Sequence, residues 1–285
     1  MVAEGPHAGL GHLSRSSAVA VALRQSGIQP TCLVNGCEEV VERYGVVWNP
    51  VGRAAGPGAS VLVLDSYEVP ASEAGSSFDF SRLVIFGDHG ESPGEADLVL
   101  SGLQYACVGP EFWDAPPREI EPELGTVIVS TGRGDTISTG VELAAQIRAE
   151  LPQTRVGVVA PEGSEAPDGV ELLGTPGSLF DPLRDADLAI TAGGQTMLEA
   201  AAVGTPCIAV PLAANQRPQA EGLAEAGAVQ LVELEDSAKL AAAAAALSED
   251  LEARTSMSRA AQAAVDGDGA RRAAAVIADS ARGPA

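Results

Sequence analysis

Short runs of β-branched and aliphatic residues recur along the whole chain, each followed by a longer amphipathic or alanine-rich stretch. No other feature limits the fold so much. Strands separated by helical segments pair in parallel through crossovers, and both faces of such a sheet become buried, so the chain reads as α/β with parallel sheets. In the first half the pattern predicts a helix over 11–26, a strand over 30–34, a helix over 38–44, and strands over 46–48, 61–64, 83–86 and 98–100. Residues 116–123, with three prolines and four charges, sustain neither helix nor central strand and read as a linker. The rhythm then restarts, with strands over 126–130, 156–159, 170–172, 188–191, 207–210 and 230–232. Helices are expected over 139–150, 196–202, 215–226, 237–247, 249–265 and 269–281. A length of 285 residues accommodates two domains at roughly 100–200 residues each. They are expected over 1–117 and 124–285, with the last helix able to pack back on the first domain.

Composition narrows the partners. Against 17 Lys plus Arg stand 39 Asp plus Glu, a formal charge of −22, and no local basic cluster offsets it. Phosphate backbones and anionic lipid are repelled at long range, so neither nucleic acid nor a membrane surface is an expected partner. The longest uncharged stretch, 200–216, is broken by Gly204, Pro206 and Pro211 and is too short to span a bilayer. Cys32, Cys37, Cys107 and Cys207 lack C-x-x-C spacing and read as small hydrophobes in a reducing compartment, so a cytoplasmic protein is expected. His7, His12 and His89 fall at no ligand spacing, and neither a metal nor a cofactor is called for.

Two segments can carry chemistry. Gly9-Leu10-Gly11-His12-Leu13-Ser14-Arg15 places glycines before a helix and His12 in its first turn, where a diphosphate can approach backbone N–H groups and an imidazole can serve as a base. A loop whose histidine only caps the helix would look the same. In the segment from Asp187 through Glu199 a buried strand ends at Thr191, Gly193 and Gly194 turn tightly, and Gln195 and Thr196 open a helix carrying Glu199. That helix mouth suits an anion, and a carboxylate one turn in suits a pair of ribose hydroxyls; Glu199 could equally complement the helix dipole. Asn215 and Gln216 follow the next strand, on the ligand side or as a cap. Asp65 and Tyr67, and then Asp88-His89, follow strands in the same way, where plain turns are also common.

Taken in order, Gly9 to Arg15, Asp65-Ser66-Tyr67, Tyr105 with Pro110-Glu111-Phe112, the loop 130–135, Gly193 to Glu199, Gly204-Thr205-Pro206 and Asn215-Gln216 resemble the nucleotide-sugar hydrolases of the pseudaminic acid pathway and their relatives in spore-coat polysaccharide synthesis. The later motifs are also similar to those of the undecaprenyl-linked N-acetylglucosamine transferase of cell-wall synthesis and other GT-B glycosyltransferases. The resemblance implies a GT-B-like fold, two Rossmann-like domains facing across a cleft. It also implies that His12 activates water at the anomeric carbon, that Gly193, Gly194, Gln195 and Thr196 hold the diphosphate and Glu199 the ribose, and that Asn215 and Gln216 line the sugar side. Gly11, Arg15, Asp65, Tyr67 and Gly132 complete the expected substrate contacts. Gly87-Asp88 stands where that family often has two adjacent aspartates.

The leading expectation is therefore a hydrolase that releases UDP from a UDP-linked acetamido sugar. The alternative is a GT-B glycosyltransferase with a UDP-sugar donor, which uses the same diphosphate clamp. A nucleotide-sugar-binding protein without turnover is a third reading, and loss of turnover with retained UDP binding would favour it.

Overall fold

The structure, a computed structural model, describes residues 1–4, 11–51, 59–65, 78–87 and 96–282. The chain divides into two units, Met1–Pro110 with Asp268–Ala285, and Glu111–Gly267.

The first unit contains β1 (Val2–Glu4), α1 (Gly11–Gln25), β2 (Leu33–Asn35), β3 (Val41–Arg43), β4 (Val46–Pro50), β5 (Ala59–Asp65), β6 (Phe80–Phe86) and β7 (Leu98–Leu100). Its sheet runs β3-β4-β2-β1-β5-β6-β7, with every described pairing parallel except β3 with β4. β1 is only three residues long yet sits mid-sheet, pairing Val2 with Leu33 on one side and Leu64 on the other. Successive side chains of a strand point to opposite faces. Ala3 accordingly packs with Leu13, Ala20, Val34 and Trp48, while Val2 packs with Leu33, Leu62, Leu64 and Leu83. α1 is buried over most of its surface, which explains its run of Ser, Ala and Val. Trp48 is anchored there through its indole N–H, which donates to Ser17 Oγ at 2.8 Å.

The helix expected over 38–44 is instead the first arm of a hairpin. Val41 pairs with Trp48 and Arg43 with Val46, leaving Tyr44 and Gly45 as a two-residue turn with φ of 53° and 70°. Two positive φ values make a turn whose twist matches that of the strands, and glycine meets the requirement without steric cost. The β-branched residues on either side then outweigh the weak helical spacing.

The second unit contains β8 (Thr126–Ser130), α2 (Thr136–Glu150), β9 (Arg155–Val158), β10 (Val170–Leu172), α3 (Phe180–Asp185), β11 (Leu188–Thr191), α4 (Gln195–Val203), β12 (Cys207–Ala209), α5 (Arg217–Glu225), β13 (Gln230–Leu231), α6 (Ser237–Glu249) and α7 (Leu251–Ala264). Its sheet, β10-β9-β8-β11-β12-β13, is parallel throughout. Val127, Val129, Val156, Leu188, Ile190 and Ile208 join Leu143, Ile147, Leu240 and Leu247 in its core. Asp187 pins the start of β8, its Oδ2 accepting from the N–H groups of Gly125 and Thr126, each at 2.9 Å. The helix expected over 215–226 is a short 3-10 turn, Ala214–Gln216, followed by α5. Cys32, Cys107 and Cys207 are buried and Cys37 is partly exposed.

The two units part at Pro110–Glu111, ahead of the proline-rich stretch read as the linker, and the last helix, α8 (Gly269–Arg282), belongs to the first unit. α8 buries Gly269, Ala270, Ala273, Ala274, Ile277 and Ala278, a helical stripe. Residues 116–122 are tied to the second unit. Arg118 donates to the carbonyls of Leu183 and Ala186 and to Thr205 Oγ1. Arg254, 0% exposed, donates to the carbonyls of Leu247 and Ser248 at the end of α6 and to those of Glu121 and Pro122. Its charge suits the negative end of α6, and its fork satisfies carbonyls in a stretch where proline interrupts regular pairing.

Arg254→Met, similar in length but without donors, is expected to lower the unfolding free energy of the second unit by about 3 kcal/mol, because several buried carbonyls lose their partner together. Urea unfolding followed by circular dichroism measures this, and a loss below about 1 kcal/mol would mean that other contacts hold the stretch.

Candidate functional site

In the first unit, β1 and β5 lie side by side, with Ala3 paired to Asp65 at the last residue of β5. On α1, His12, Arg15 and Ser16 stand at i, i+3 and i+4 and so share one helical face. All three converge on Asp65. His12 Nδ1 lies 2.6 Å from Oδ1, Arg15 donates from Nε to Oδ2 at 3.1 Å and from Nη2 to Oδ1 at 2.5 Å, and Ser16 Oγ donates to Oδ2 at 2.7 Å. The Arg15 guanidinium also lies over the Phe86 ring, 4.7 Å from its centroid. Asp65 is 1% exposed and His12 7%. Burial by itself would raise the Asp65 carboxyl, but the neighbouring Arg15 and His12 outweigh it and hold the carboxyl well below the usual carboxylate range. An ionised carboxylate can only accept, so Nδ1 carries the proton toward Asp65, and in the neutral ring the lone pair resides on Nε2.

Asp65 is expected among the substrate contacts, whereas its hydrogen bonds run to α1 and orient a histidine. The sequence motifs single out neither Ser16 nor Phe86. Ser16 is legible in the i, i+4 spacing from His12, but Phe86 reaches Arg15 only through the tertiary fold. Gly11 opens α1, and among the described residues a side chain there would find open space around its Cβ. Tyr67 lies outside the described residues, as do Asp88-His89 and Gly9 of the first motif.

In the second unit the expected residues gather at one edge of the sheet. β8, β11 and β12 are adjacent and parallel, so Gly132 after β8, Gly193 to Thr196 after β11, and Asn215-Gln216 after β12 follow their C-terminal ends. Gly193 is required by close approach, since a Cβ there would lie 3.0 Å from Gln216 Cβ and 3.1 Å from its carbonyl oxygen. Gln216 Oε1 accepts from Leu212 N–H at 2.8 Å and Gly193 N–H at 3.2 Å, clasping the two loops together. α4 begins after Gly194, which supplies no side-chain cap, and carries Glu199, 5% exposed, one turn in. Gly132 adopts φ of 102° in the loop closed by Thr131 Oγ1 donating to the Thr136 carbonyl at 2.7 Å. Burial pushes the Cys207 thiol up to about 12, so it stays protonated and is no nucleophile. Among the described residues no cluster of His, Cys, Asp and Glu could hold a metal ion, and no helix is long and apolar enough to cross a membrane.

Residues 180–273 match the glycosyltransferase family 28 C-terminal domain. No curated protein matches the chain. Among solved structures, the chain is similar to the spinosyn rhamnosyltransferase SpnG, at 15% identity over 99% of both chains with a TM-score of 0.68. It is also similar to the Streptomyces sp. SF2575 glycosyltransferase SsfS6 complexed with thymidine diphosphate, at 16% identity over 98% of both chains and a TM-score of 0.64. Acinetobacter baumannii MurG aligns at 16% identity over 98% of both chains with a TM-score of 0.61. The chain spans 54% of the length of the glycotransferase of kitacinnamycin. The fold is that of the GT-B glycosyltransferases.

The Asp65 cluster makes stability depend on acid in a definite direction. Because the folded carboxyl is held low, the stabilisation from its ionised form is complete above the unfolded value of about 3.9 and is lost as pH falls through the folded value. Asp65→Asn should therefore be less stable than the wild type at neutral pH, with the difference shrinking below about pH 4. Urea unfolding at a series of pH values checks this, and a difference independent of pH would remove Asp65 from the ionised role.

Proposed function

We propose that the protein is a nucleotide-sugar-dependent glycosyltransferase in which His12 is the base and the second unit holds the nucleoside diphosphate. The observation that carries the reading is His12 held by the buried carboxylate of Asp65. A base whose tautomer is set by a carboxylate can take a proton from a hydroxyl through Nε2. The hydroxyl oxygen bonds to the anomeric carbon, the bond from that carbon to the diphosphate oxygen breaks, its electron pair leaves with the diphosphate, and the configuration inverts. Supporting the donor side, the match to the family 28 C-terminal domain spans Gly193 to Glu199 and Asn215-Gln216, and SsfS6 was solved with thymidine diphosphate. Gly193, Gly194, Gln195 and Thr196 receive the diphosphate at the start of α4, Glu199 the ribose, and Gly132, Asn215 and Gln216 complete that edge.

Hydrolysis of a UDP-linked acetamido sugar is the second reading, with water in place of the acceptor hydroxyl. The run from Gly11 to Arg15 favours it through its likeness to the nucleotide-sugar hydrolases. The acceptor decides between them. With a panel of UDP- and TDP-sugars, nucleoside diphosphate should be released only when an alcohol acceptor is present. Release without one, with ¹⁸O from labelled water entering the anomeric hydroxyl, would establish the hydrolase instead. Label found in the phosphate would mean attack at phosphorus and would overturn both. Under either glycosyl reading, His12→Asn should lower turnover by about 10²–10⁴ with nucleotide binding unchanged.

The donor side is tested separately. Glu199→Ala should weaken nucleoside diphosphate binding by about 1.5–3 kcal/mol, the loss of a hydrogen-bonded charge, as measured by calorimetry. Unchanged affinity would take Glu199 out of the ribose role.

A further inference from the structure

We propose that Gln216 and Gln219 are positioning residues for the diphosphate, acting through the backbone of Gly193 to hold the turn that aims the first N–H groups of α4. The inference deepens the proposed function and rests on its assignment of the diphosphate to that turn.

The turn needs a support from outside itself. β11 pairs with its neighbours as far as Thr191, and one residue later Ala192 N–H donates to the Ser130 carbonyl at 3.3 Å. Gly193 follows and is buried, so leaving its peptide groups unpaired would be costly. α4 gives no help here, since Gly194 has no side chain with which to cap the first turn. A capping side chain would also occupy an N–H group that an anion could otherwise take, so support from elsewhere suits an anion-binding helix start better than a cap.

Two glutamines supply that support. Gln216 closes the 3-10 turn Ala214–Gln216, and Gln219 lies three residues on, in the first turn of α5. Gln216 Oε1 accepts from Gly193 N–H at 3.2 Å and Gln219 Nε2 donates to the Gly193 carbonyl at 3.4 Å, so both polar groups of that residue are held from one side. Ala220 backs the same contact, 3.3 Å from where a Cβ of Gly193 would stand. α5 is fastened in its turn by Arg217, whose Nη1 and Nη2 donate to the two carboxylate oxygens of Glu233 at 2.8 and 2.7 Å.

The same bonds limit what Gln216 can do toward a ligand. Its Oε1 also accepts from Leu212 N–H at 2.8 Å, and two donors use both lone pairs of an amide oxygen. No lone pair is left there for a sugar hydroxyl. The amide is thereby oriented with Nε2 on the Gly194 side, 3.7 Å from where a Cβ of that residue would stand. Gln216 therefore shapes the turn and does not read the sugar through its oxygen.

The test is an NMR titration of the full chain with UDP and TDP, with uridine and thymidine, and with UDP- and TDP-sugars, together with amide hydrogen exchange at Gly193. In Gln216→Met the Gly193 amide should exchange faster, and UDP and TDP should bind about five- to tenfold more weakly, the worth of one hydrogen bond. The nucleosides should bind as they do to the wild type. Gln219→Met should weaken the diphosphates in the same direction by a smaller factor, and it serves as the test if Gln216→Met does not fold. Unchanged UDP and TDP affinity with weaker binding of the sugar-bearing donors would overturn the proposal and make Gln216 a sugar contact. Weaker diphosphate binding with unchanged exchange at Gly193 would overturn it in favour of direct contact with the diphosphate. Equal losses for nucleosides and diphosphates would overturn it in favour of a general packing role. A wild type that binds neither UDP nor TDP would refute the proposed function and this inference together, whereas a wild type that binds them no better than either variant does would overturn the inference alone.

Discussion

A parallel sheet covered on both faces leaves working side chains one place to gather, the ends of its strands, and both units are built under that constraint. The strand interiors are committed to the core: Val127, Val129, Leu188, Ile190 and Ile208 lie together inside the second unit. Each strand then passes into a loop or helix at the same edge, and order within the sheet decides which of these become neighbours. β1 beside β5 brings α1 to Asp65 in the first unit. β11 between β8 and β12 brings Gly193 beside Gln216 in the second.

The polar groups that fix these edges are each satisfied more than once. Asp65 accepts from three side chains, and Gln216 Oε1 accepts two backbone N–H groups from different loops. Away from the edge, Arg254 gathers four carbonyls. Leaving a buried group unpaired costs more than pairing it gains, so these side chains specify the local arrangement more strongly than they add to stability. His12 benefits directly, because its ring is fixed by a carboxylate that is itself fixed.

The proposed base in the first unit and the proposed nucleotide edge in the second are organised differently. The first depends on side chains and their charges, with His12, Arg15 and Ser16 converging on one carboxylate. The second depends on backbone, with a glycine turn, a helix start without a side-chain cap, and a glutamine clasp. A base needs a controlled protonation state, whereas a diphosphate needs several donors at close range, and the two solutions follow from those needs.

The α/β class, most of the strands, the glycine turn at Gly193 and the helix that carries His12 were legible in the chain itself, because periodicity and turn chemistry are local properties. Over 38–44 helical spacing and β-branched residues compete, and only the pairing of Val41 with Trp48 decides the outcome. The prolines of 116–122 look like a linker because they lack regular structure, whereas Arg118 and Arg254 fasten them to the second unit. The partnership of Asp65 with His12, 53 residues apart, is beyond any local signal. Each residue is recognisable as a candidate, one at the end of a strand and the other at the start of a helix. The adjacency of β1 and β5 turns the two candidates into one pair, because hydrogen bonds between distant residues depend on strand order, which local sequence does not encode.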